Sequence, residues 1–284
     1  MILNERKLRR QVQEWLEEDV GIGDITSMTT VDESLKGTGI IHAKSQGILA
    51  GIPVLQAVFR EVDPELEVVV RAQDGEPLQK GTVIAEITGK VRSILTAERV
   101  ALNMLQRLSG IATKTKQMVE AAKLGNPDVR VVDTRKTTPG LRMVEKYAVA
   151  VGGGHSHRFG LYDAVLIKDN HIKAAGGIFL AVQRARKAIP HTMTIEVEVE
   201  SIPQVKEALE AKANLIMFDN MPLEEMKEAV RIIGGRALTE ASGGITIDNI
   251  AQVAATGVDM ISLGSLTYSV QALDISLDLN ERKR

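Results

Sequence analysis

The chain has 284 residues, a formal net charge of −2 at pH 7 and a pI near 6.3, so a broad basic surface for nucleic acid is excluded. It contains no cysteine, which rules out disulfides, thiolate metal sites and a thiol nucleophile. No apolar run approaches the roughly 20 residues of a membrane span, and the charged N-terminus lacks the apolar segment of a signal peptide, so we expect a cytoplasmic protein without a membrane partner.

The N-terminal third of the chain mixes helix and strand patterns. Apolar residues recur at helical spacing and predict a helix over residues 4–20. A long helical pattern covers residues 93–122, with a Ser109-Gly110 pair at which the helix could break. Between these two helices, short β-type runs separated by turn residues lie at 39–43, 67–71 and 82–87.

After about residue 128, short apolar strands alternate with helical stretches. This alternation predicts a parallel sheet of right-handed βαβ units. Six such units, each with a polar residue where the strand ends, indicate a complete or nearly complete (β/α) barrel, and a doubly wound open sheet is the alternative. The predicted strands are 129–133, 164–168, 194–198, 215–219, 236–240 and 260–264, with helices at 175–188, 203–211, 222–233 and 247–256.

Residues 133–173 carry a high density of cations for a chain of negative net charge. The segment has seven Lys or Arg against four acids, and it holds three of the five histidines, His155, His157 and His171. Arg offers a planar fork to carboxylates and phosphates, Lys a compact charge, and His a switchable donor. Their concentration predicts a site for a small, highly anionic ligand.

Two glycine motifs follow the last two predicted strands. Ser242-Gly243-Gly244 and Gly264-Ser265 would let backbone N–H groups approach a phosphate, at a place where (β/α) barrels frequently bind one. Ordinary tight turns are the alternative explanation. Because the motifs occupy the last two loops together, we favour phosphate binding.

Two acids also end predicted strands. Glu198 and Asp219 could hold Mg²⁺ or orient ribose hydroxyls, and the alternative is a pair of structural carboxylates bonded to loop amides or lysines. Glu196 has the same side-chain parity as Glu198, so one of the two could form an ion pair deep in the barrel. We favour Glu198 as the ligand-facing acid because it is nearer the strand end.

A lysine at a strand end is compatible with two chemistries. Lys168 could form a Schiff base, as aldolase lysines do, but acids such as Glu198 and Asp219 would keep its amine charged. Anion binding is therefore favoured. His157 and Arg158 lie in a glycine-rich loop without zinc-type spacing, so hydrogen bonding to anionic oxygens is their favoured role.

A set of long segments matches one known family in order and spacing. The segments are Glu18–Thr26, Ala97–Asn103, Leu108–Thr113, Asp133–Arg142, Glu145–Val149, Gly152–Gly154, His157–Arg158, Leu166–His171, Glu196–Glu198, Asp219–Asn220, Ser242–Gly244 and Gly257–Ser262. Through them the chain resembles the quinolinate phosphoribosyltransferases. One departure is Ser156, which is shorter than the Asn that usually precedes the family's His-Arg pair.

The resemblance implies an α/β protein with two domains that works as a homodimer with shared active sites. Residues 1–110 would form an N-terminal α/β sandwich domain, to which the tail 268–284 could return. Residues 111–267 would form an incomplete (β/α) barrel of about seven strands. The N-terminal domain of one subunit would complete the barrel of the other, with Arg99 reaching into the neighbour's site.

The resemblance also implies the reaction, in which quinolinate and phosphoribosyl pyrophosphate give nicotinate mononucleotide, pyrophosphate and CO₂ in de novo NAD synthesis, with Mg²⁺ as cofactor. A Schiff-base aldolase or another phosphate-binding barrel enzyme using Lys168 is the alternative. Lys136, Lys168, Glu198 and Asp219 would be catalytic. The implied substrate site comprises a cationic cluster (Arg135, Lys136, His157, Arg158 and Lys168), acids near the ribose and Mg²⁺ (Glu198 and Asp219), and phosphate loops (Ser242, Gly243, Gly264 and Ser265).

Overall fold

The computed structural model of the protein describes residues 3–280, and its helices and strands are numbered here in chain order. The helices are α1 (Glu5–Val20), α2 (Ile25–Thr30), α3 (Ile52–Val62), α4 (Val91–Gly125), α5 (Arg142–Val151), α6 (Asp169–Ala175), α7 (Ile178–Ala188), α8 (Ile202–Glu210), α9 (Leu223–Ile233), α10 (Ile250–Ala254) and α11 (Ser265–Tyr268). The strands are β1 (Lys36–Ala43), β2 (Gly47–Ile48), β3 (Glu67–Val70), β4 (Pro77–Leu78), β5 (Val83–Lys90), β6 (Arg130–Val132), β7 (Val165–Ile167), β8 (Ile195–Val199), β9 (Leu215–Asp219), β10 (Leu238–Ser242), β11 (Met260–Ser262) and β12 (Ile275–Asn280). Within residues 3–280, every helix is too short or too polar to cross a membrane.

The chain divides into two compact units, and α4 contributes residues to both. The first unit combines the residues up to Lys116 with Thr138–Gly153 and the residues from Ser269 onward. The second combines Gln117–Thr137 with Gly154–Tyr268. The segment that contains α5 therefore groups with the N-terminal residues, although it lies between two strands of the second unit in sequence.

The first unit begins with α1, where the sequence predicts a helix. The Asn4 side chain accepts a hydrogen bond of 3.0 Å from the Lys7 amide, which satisfies a donor that the first turn leaves open. Gly21 ends the helix with a φ of 53°, a conformation that glycine adopts without steric cost. The buried side chains of Leu8 and Val12 lie on one face, as the helical spacing requires.

The sheet of the first unit is antiparallel, with the strand order β12-β1-β5-β3. Strand β12 comes from the C-terminal tail and pairs with β1 from Thr38 opposite Asn280 to Ala43 opposite Ile275. The tail thus supplies an edge strand to the N-terminal sheet. Helix α3 adds the fully buried Phe59 to the core of this unit.

Helix α4 is continuous over 35 residues, so the Ser109-Gly110 pair does not break it. Both residues serve contacts between elements instead. The Ser109 hydroxyl lies 3.1 Å from the amide nitrogen and 3.2 Å from the carbonyl oxygen of Ala50. A side chain at Gly110 would collide with the backbone oxygen of Gln271. The pair therefore permits close packing on α4.

The second unit is built on a parallel sheet with the strand order β6-β11-β10-β9-β8-β7. The first strand of this unit, β6, lies beside its last strand, β11. From β11 to β7, neighbouring strands then follow one another in reverse chain order, and this direction does not change. That order is typical of a barrel, because a doubly wound sheet reverses direction at a switch point. One isolated parallel β-bridge, between Val132 and His155, places a short seventh segment beside β6. Among the described strands the sheet is not closed, which confirms an incomplete α/β barrel.

Alternation along the strands separates an apolar face from a polar one. In β8, the buried residues Ile195, Val197 and Val199 share one face, and Glu196 (also buried) and Glu198 point to the opposite face. Successive side chains of a strand point to opposite faces, so the acids project into the barrel interior. The interior of the barrel thus contains the acidic side chains of β8, near the end of that strand.

Candidate active site

Several of the expected site residues lie at the carboxyl ends of the parallel strands. Lys168 directly follows β7, Glu198 lies one residue before the end of β8, Asp219 ends β9, Ser242 ends β10, and Gly264 comes just after β11. The strand register places Asp219 beside Ser242. Because the carboxyl ends of parallel strands share one edge, these residues line one mouth of the barrel.

Lys168 forms an ion pair with Glu198 at this mouth. The Lys168 Nζ atom donates a short hydrogen bond to Glu198 Oε2. The Lys168 side chain is 46% exposed and that of Glu198 is 10% exposed. A lysine side chain that is paired with a carboxylate at an open mouth is placed to bind an anion, so this arrangement favours anion binding over Schiff-base chemistry.

A second set of charged groups lies deeper in the barrel and joins three elements. The Nε2 atom of His157 is 3.2 Å from Glu196 Oε2 and 3.5 Å from Glu240 Oε2. Glu240 is fully buried, and the side chain of Glu196 is only 7% exposed. Of the two acids in β8, Glu196 therefore forms the deep ion pair and Glu198 faces the mouth.

This deep cluster shifts the pKa values of its members. Burial lowers the pKa of His157, but the hydrogen bonds and charges of Glu196 and Glu240 outweigh burial and raise the pKa to about 10. Burial raises the pKa of Glu196, and the charge of Glu240 acts in the same direction against the opposing bond to His157. His157 thus stays protonated at neutral pH.

The loop that carries His157 and Arg158 is fixed to the start of the barrel. The His157 amide donates to Asp133 Oδ1 at 2.8 Å, and Asp133 is fully buried directly after β6. The Arg158 Nη1 atom donates to the carbonyl of Ala164 at 3.1 Å. Burial lowers the pKa of Arg158, and the positive charge of Arg135 lowers it further. Two guanidinium groups held this close create a site that favours an anion.

The two glycine loops are shaped for close approach. Gly243 has a φ of 91°, and a side chain there would collide with the Asn220 side chain in the neighbouring loop. At Gly264, an added Cβ atom would lie 2.8 Å from Cδ of Lys136 and 2.9 Å from Cε1 of Tyr268. Gly264 therefore leaves space for the aliphatic part of Lys136, whose Nζ lies 6.0 Å from the Tyr268 ring centroid.

The remaining expected site residues lie in separate places. Ser265 starts α11 and is half-buried, and Ser156 is exposed in the loop before His157. Arg99 belongs to the first unit, where its Nη2 atom lies 4.0 Å from Glu98 Oε1 and its side chain is 58% exposed. The assignment of Arg99 to a neighbouring subunit's site stays a prediction.

Sequence reasoning did not assign Glu240 to the site. Glu240 was visible as a polar residue near a strand end, but nothing local connects it with His157, which is far away in sequence. Its parity offered a signal: Glu240 and Ser242 share one face of β10, and Glu240 is in register with Met217, which is itself in register with Glu198. Their common register with Met217 on the intervening strand β9 places Glu240 and Glu198 on the same face of the sheet.

Comparison with known proteins extends over nearly the whole chain. The models of the quinolinate phosphoribosyl transferase N-terminal and C-terminal domains match residues 24–109 and 111–278. A probable nicotinate-nucleotide pyrophosphorylase (carboxylating) of Bacillus subtilis is 46% identical over 277 residues, which cover 98% of this chain and 95% of that protein. A chloroplastic nicotinate-nucleotide pyrophosphorylase (carboxylating) of Arabidopsis thaliana is 43% identical, with 93% of this chain and 80% of that protein covered.

A solved structure agrees with these relatives. The crystal structure of NadC from Streptococcus pyogenes is 43% identical and superposes with a TM-score of 0.95, covering 99% of both chains. The matches confirm the resemblance seen in the sequence motifs, and they include the strand ends that carry Lys168, Glu198 and Asp219. By its two domain models and by relatives of this identity, the chain belongs to the quinolinate phosphoribosyltransferase family.

Proposed function

We propose that the protein transfers the phosphoribosyl group of phosphoribosyl pyrophosphate to quinolinate and releases CO₂. The products are nicotinate mononucleotide and pyrophosphate, which makes the reaction a step of NAD synthesis. The observation that carries this proposal is the mouth where Lys168, Glu198, Asp219 and Ser242 meet, in a chain whose relatives are named for this activity.

The charge of the substrates explains the cationic part of the site. Quinolinate carries two carboxylates, and phosphoribosyl pyrophosphate carries several more negative charges. Moving them together out of water costs many kcal/mol unless cations compensate. Arg135, Arg158 and Lys168 supply such cations in our proposal, with Lys136 beside the last glycine loop. On quinolinate binding, Lys168 would exchange its bond to Glu198 for one to a substrate carboxylate.

Release of CO₂ requires a particular distribution of these cations. Once the ring nitrogen of quinolinate is bonded to ribose, the ring accepts the electron pair left by the adjacent carboxylate, and the resulting carbanion takes up a proton. A tight clamp on the departing carboxylate would stabilise the ground state and slow the reaction. We therefore propose that the arginine clamp holds the carboxylate that is retained.

Mg²⁺ is a further part of the proposal. Glu198 is in register with Met217, so Asp219 lies two residues farther along the same face of the adjacent strand. Their carboxylates suit a hard cation, but two residues cannot complete its shell, and substrate phosphates with water would supply the other ligands. When bound there, Mg²⁺ would neutralise negative charge on the departing pyrophosphate.

The proposed reaction can be tested with the purified protein. It should convert quinolinate, phosphoribosyl pyrophosphate and Mg²⁺ into nicotinate mononucleotide with an equal amount of CO₂. Nicotinate in place of quinolinate is the control, because it lacks the carboxylate that is lost. A protein that accepts nicotinate and leaves quinolinate unchanged would contradict the proposal, and borohydride trapping of a substrate on Lys168 would favour an aldolase instead.

Asp219→Asn is expected to impair the use of phosphoribosyl pyrophosphate while quinolinate still binds. The amide keeps the size of the side chain but loses the charge that can stabilise a metal or an oxocarbenium-like ribose. Turnover should therefore fall by about two orders of magnitude, with little change in the calorimetric Kd of quinolinate. Wild-type turnover with unchanged Mg²⁺ dependence would remove Asp219 from the proposed mechanism.

A homodimer with shared sites is likewise a proposal, and its test uses two inactive variants. Arg99→Ala and Lys168→Ala should each be nearly inactive, but activity should return when the two are unfolded and refolded together. Each mixed dimer would carry both changes in one site and neither in the other, so random pairing restores about a quarter of all sites. Each variant refolded alone is the control. Inactivity of a verified mixed dimer would mean that Arg99 serves the active site of its own subunit.

Location in the cytoplasm stays a prediction from the sequence.

A further inference from the structure

The open side of the barrel ends in an apolar edge strand. Strand β7, with the sequence Val165-Leu166-Ile167, pairs with β8, and no strand within residues 3–280 covers its other edge. An uncovered apolar edge strand is a template for another chain, so proteins normally cover it. A groove of about 670 Å³ lies beside this strand and is lined by residues of β7, α6 and α7.

The loop before β7 holds two large apolar side chains at this groove. Leu161 and Tyr162 both line it, and the side chains are exposed, that of Tyr162 to 80%. The Phe159 amide donates to Asp163 Oδ2 at 2.8 Å, which closes the loop around them. Single apolar side chains at a surface need no explanation, but an adjacent pair beside an apolar groove marks a docking surface.

The charge of the groove has one sign. Its ionisable lining residues within the described chain are Arg158, His171 and Arg184, and none is an acid. The Arg184 Nη1 atom donates to the carbonyl of Ala175 at 3.2 Å, which holds this exposed guanidinium at the groove. A partner that fits must therefore combine apolar side chains with negative charge.

The first unit presents that combination around the end of α1. Ile22 is 97% exposed, and Ile25 and Met28, which follow it, are exposed as well. The last turn of α1 carries consecutive exposed acids and no base (Glu17, Glu18 and Asp19). Negative charge at the C-terminus of a helix opposes the helix dipole, so these acids do not stabilise α1. Residues 17–28 are called the 17–28 turn below.

Helix α4 holds the 17–28 turn in place. The Arg92 Nη2 atom donates to the carbonyl of Met28 at 3.1 Å, and the Thr96 hydroxyl lies 3.5 Å from Asp24 Oδ2. Arg99 follows Arg92 and Thr96 at helical spacing, so it lies on the same side of α4. The turn and Arg99 therefore belong to one surface of the first unit.

We propose that the 17–28 turn of one subunit docks in the groove beside β7 of a second copy of this chain. Ile22 contacts Leu161 and Tyr162, and the acids of α1 face Arg184. In a symmetric dimer the same contact forms twice. Docking also carries Arg99 to the barrel mouth of the second copy, because Arg158 lines the groove and belongs to the proposed quinolinate clamp. Only this last step rests on the proposed function.

The contact can be tested by crosslinking, because the chain has no cysteine of its own. The variant with Ile22→Cys and Leu161→Cys should give covalent dimers with a short bis-maleimide. Each single variant is a control, and so is Ile22→Cys with Leu124→Cys, since Leu124 is exposed but lies outside both surfaces. A yield of dimer no higher than in these controls, or links formed within one chain, would overturn the proposal.

Mass photometry of the diluted protein measures the strength of the contact. Ile22→Asp should raise the dimer Kd by about tenfold or more, because it places a carboxylate in an apolar contact, whereas Leu124→Asp should change it by less than about twofold. Circular dichroism should show both variants folded, since both side chains are exposed. A monomeric wild-type protein, or an Ile22→Asp dimer as tight as the wild type, would overturn the proposal.

A charge exchange tests the role given to the acids. Arg184→Glu should weaken the dimer, and Glu18→Arg added to it should tighten the dimer again, because the two charges are then opposite once more. Further weakening by Glu18→Arg would contradict the proposed contact. These measurements need no turnover, so a protein that crosslinks as expected but forms no nicotinate mononucleotide would support the docking and contradict only the proposed function.

Discussion

Arg135→Ala is expected to weaken quinolinate binding by roughly 2–5 kcal/mol and to change the binding of phosphoribosyl pyrophosphate much less. Arg135 is half-buried in the loop after β6, close enough to Arg158 for its charge to lower the pKa of that guanidinium. A guanidinium in such a place makes forked hydrogen bonds to a carboxylate, and its loss leaves that carboxylate desolvated and unpaired. Calorimetric Kd values for each substrate measure the difference.

The matched control is Arg130→Ala. Arg130 lies on β6 in the same stretch of chain, is exposed, and is removed with the same change in net charge. Its loss should leave both Kd values within about twofold of wild type, as is usual for surface substitutions. If Arg135→Ala weakens both substrates equally, or if Arg130→Ala weakens quinolinate as strongly, the effect comes from overall charge and the proposed clamp is wrong.

The architecture could be predicted because the strands have a local signature. Each short apolar run bounded by turn residues and alternating with helices became a strand within one or two residues of the expected position, as at 215–219. Features that depend on contacts distant in sequence could not be predicted. The continuity of α4 at Ser109 and Gly110 depends on Ala50 and Gln271, and the single bridge at His155 has no apolar run to mark it.

In the site, too, the face of a strand on which a side chain lies could be predicted, but the residue that it contacts could not. Alternation placed Glu196 and Glu198 on one face of β8, and position along the strand favoured Glu198 as the ligand-facing acid, which stays a prediction; in the structure Glu198 pairs with Lys168. The deep partner of Glu196 was not predictable, because the loop that carries His157 and the strand that carries Glu240 meet only in the folded barrel. Residue type and period give the face of a side chain, whereas the partner depends on tertiary structure.

Arg107→Ala is expected to lower the free energy of unfolding by roughly 3–5 kcal/mol, because it leaves a buried carboxylate without its cationic partner. Glu145 on α5 is fully buried, and Arg107 Nε donates to its Oε1 at 2.9 Å. The other carboxylate oxygen accepts from the Thr138 amide at 3.1 Å, and Arg107 Nη2 donates to the Thr138 hydroxyl at 2.7 Å. The network joins α4, α5 and the start of the 138–153 segment, all within the first unit.

Urea unfolding followed by circular dichroism measures this effect, and an exposed pair of the same unit supplies the control. Arg9 pairs with Glu61 at 3.1 Å, but its side chain is 73% exposed, so Arg9→Ala should cost only about 0–1 kcal/mol. Replacing Arg107 and Glu145 together by methionine should recover most of the loss, since the buried charge is then removed as well. Equal effects of Arg107→Ala and Arg9→Ala would show that water reaches Glu145 in the folded protein, and that its burial does not determine the stability of this unit.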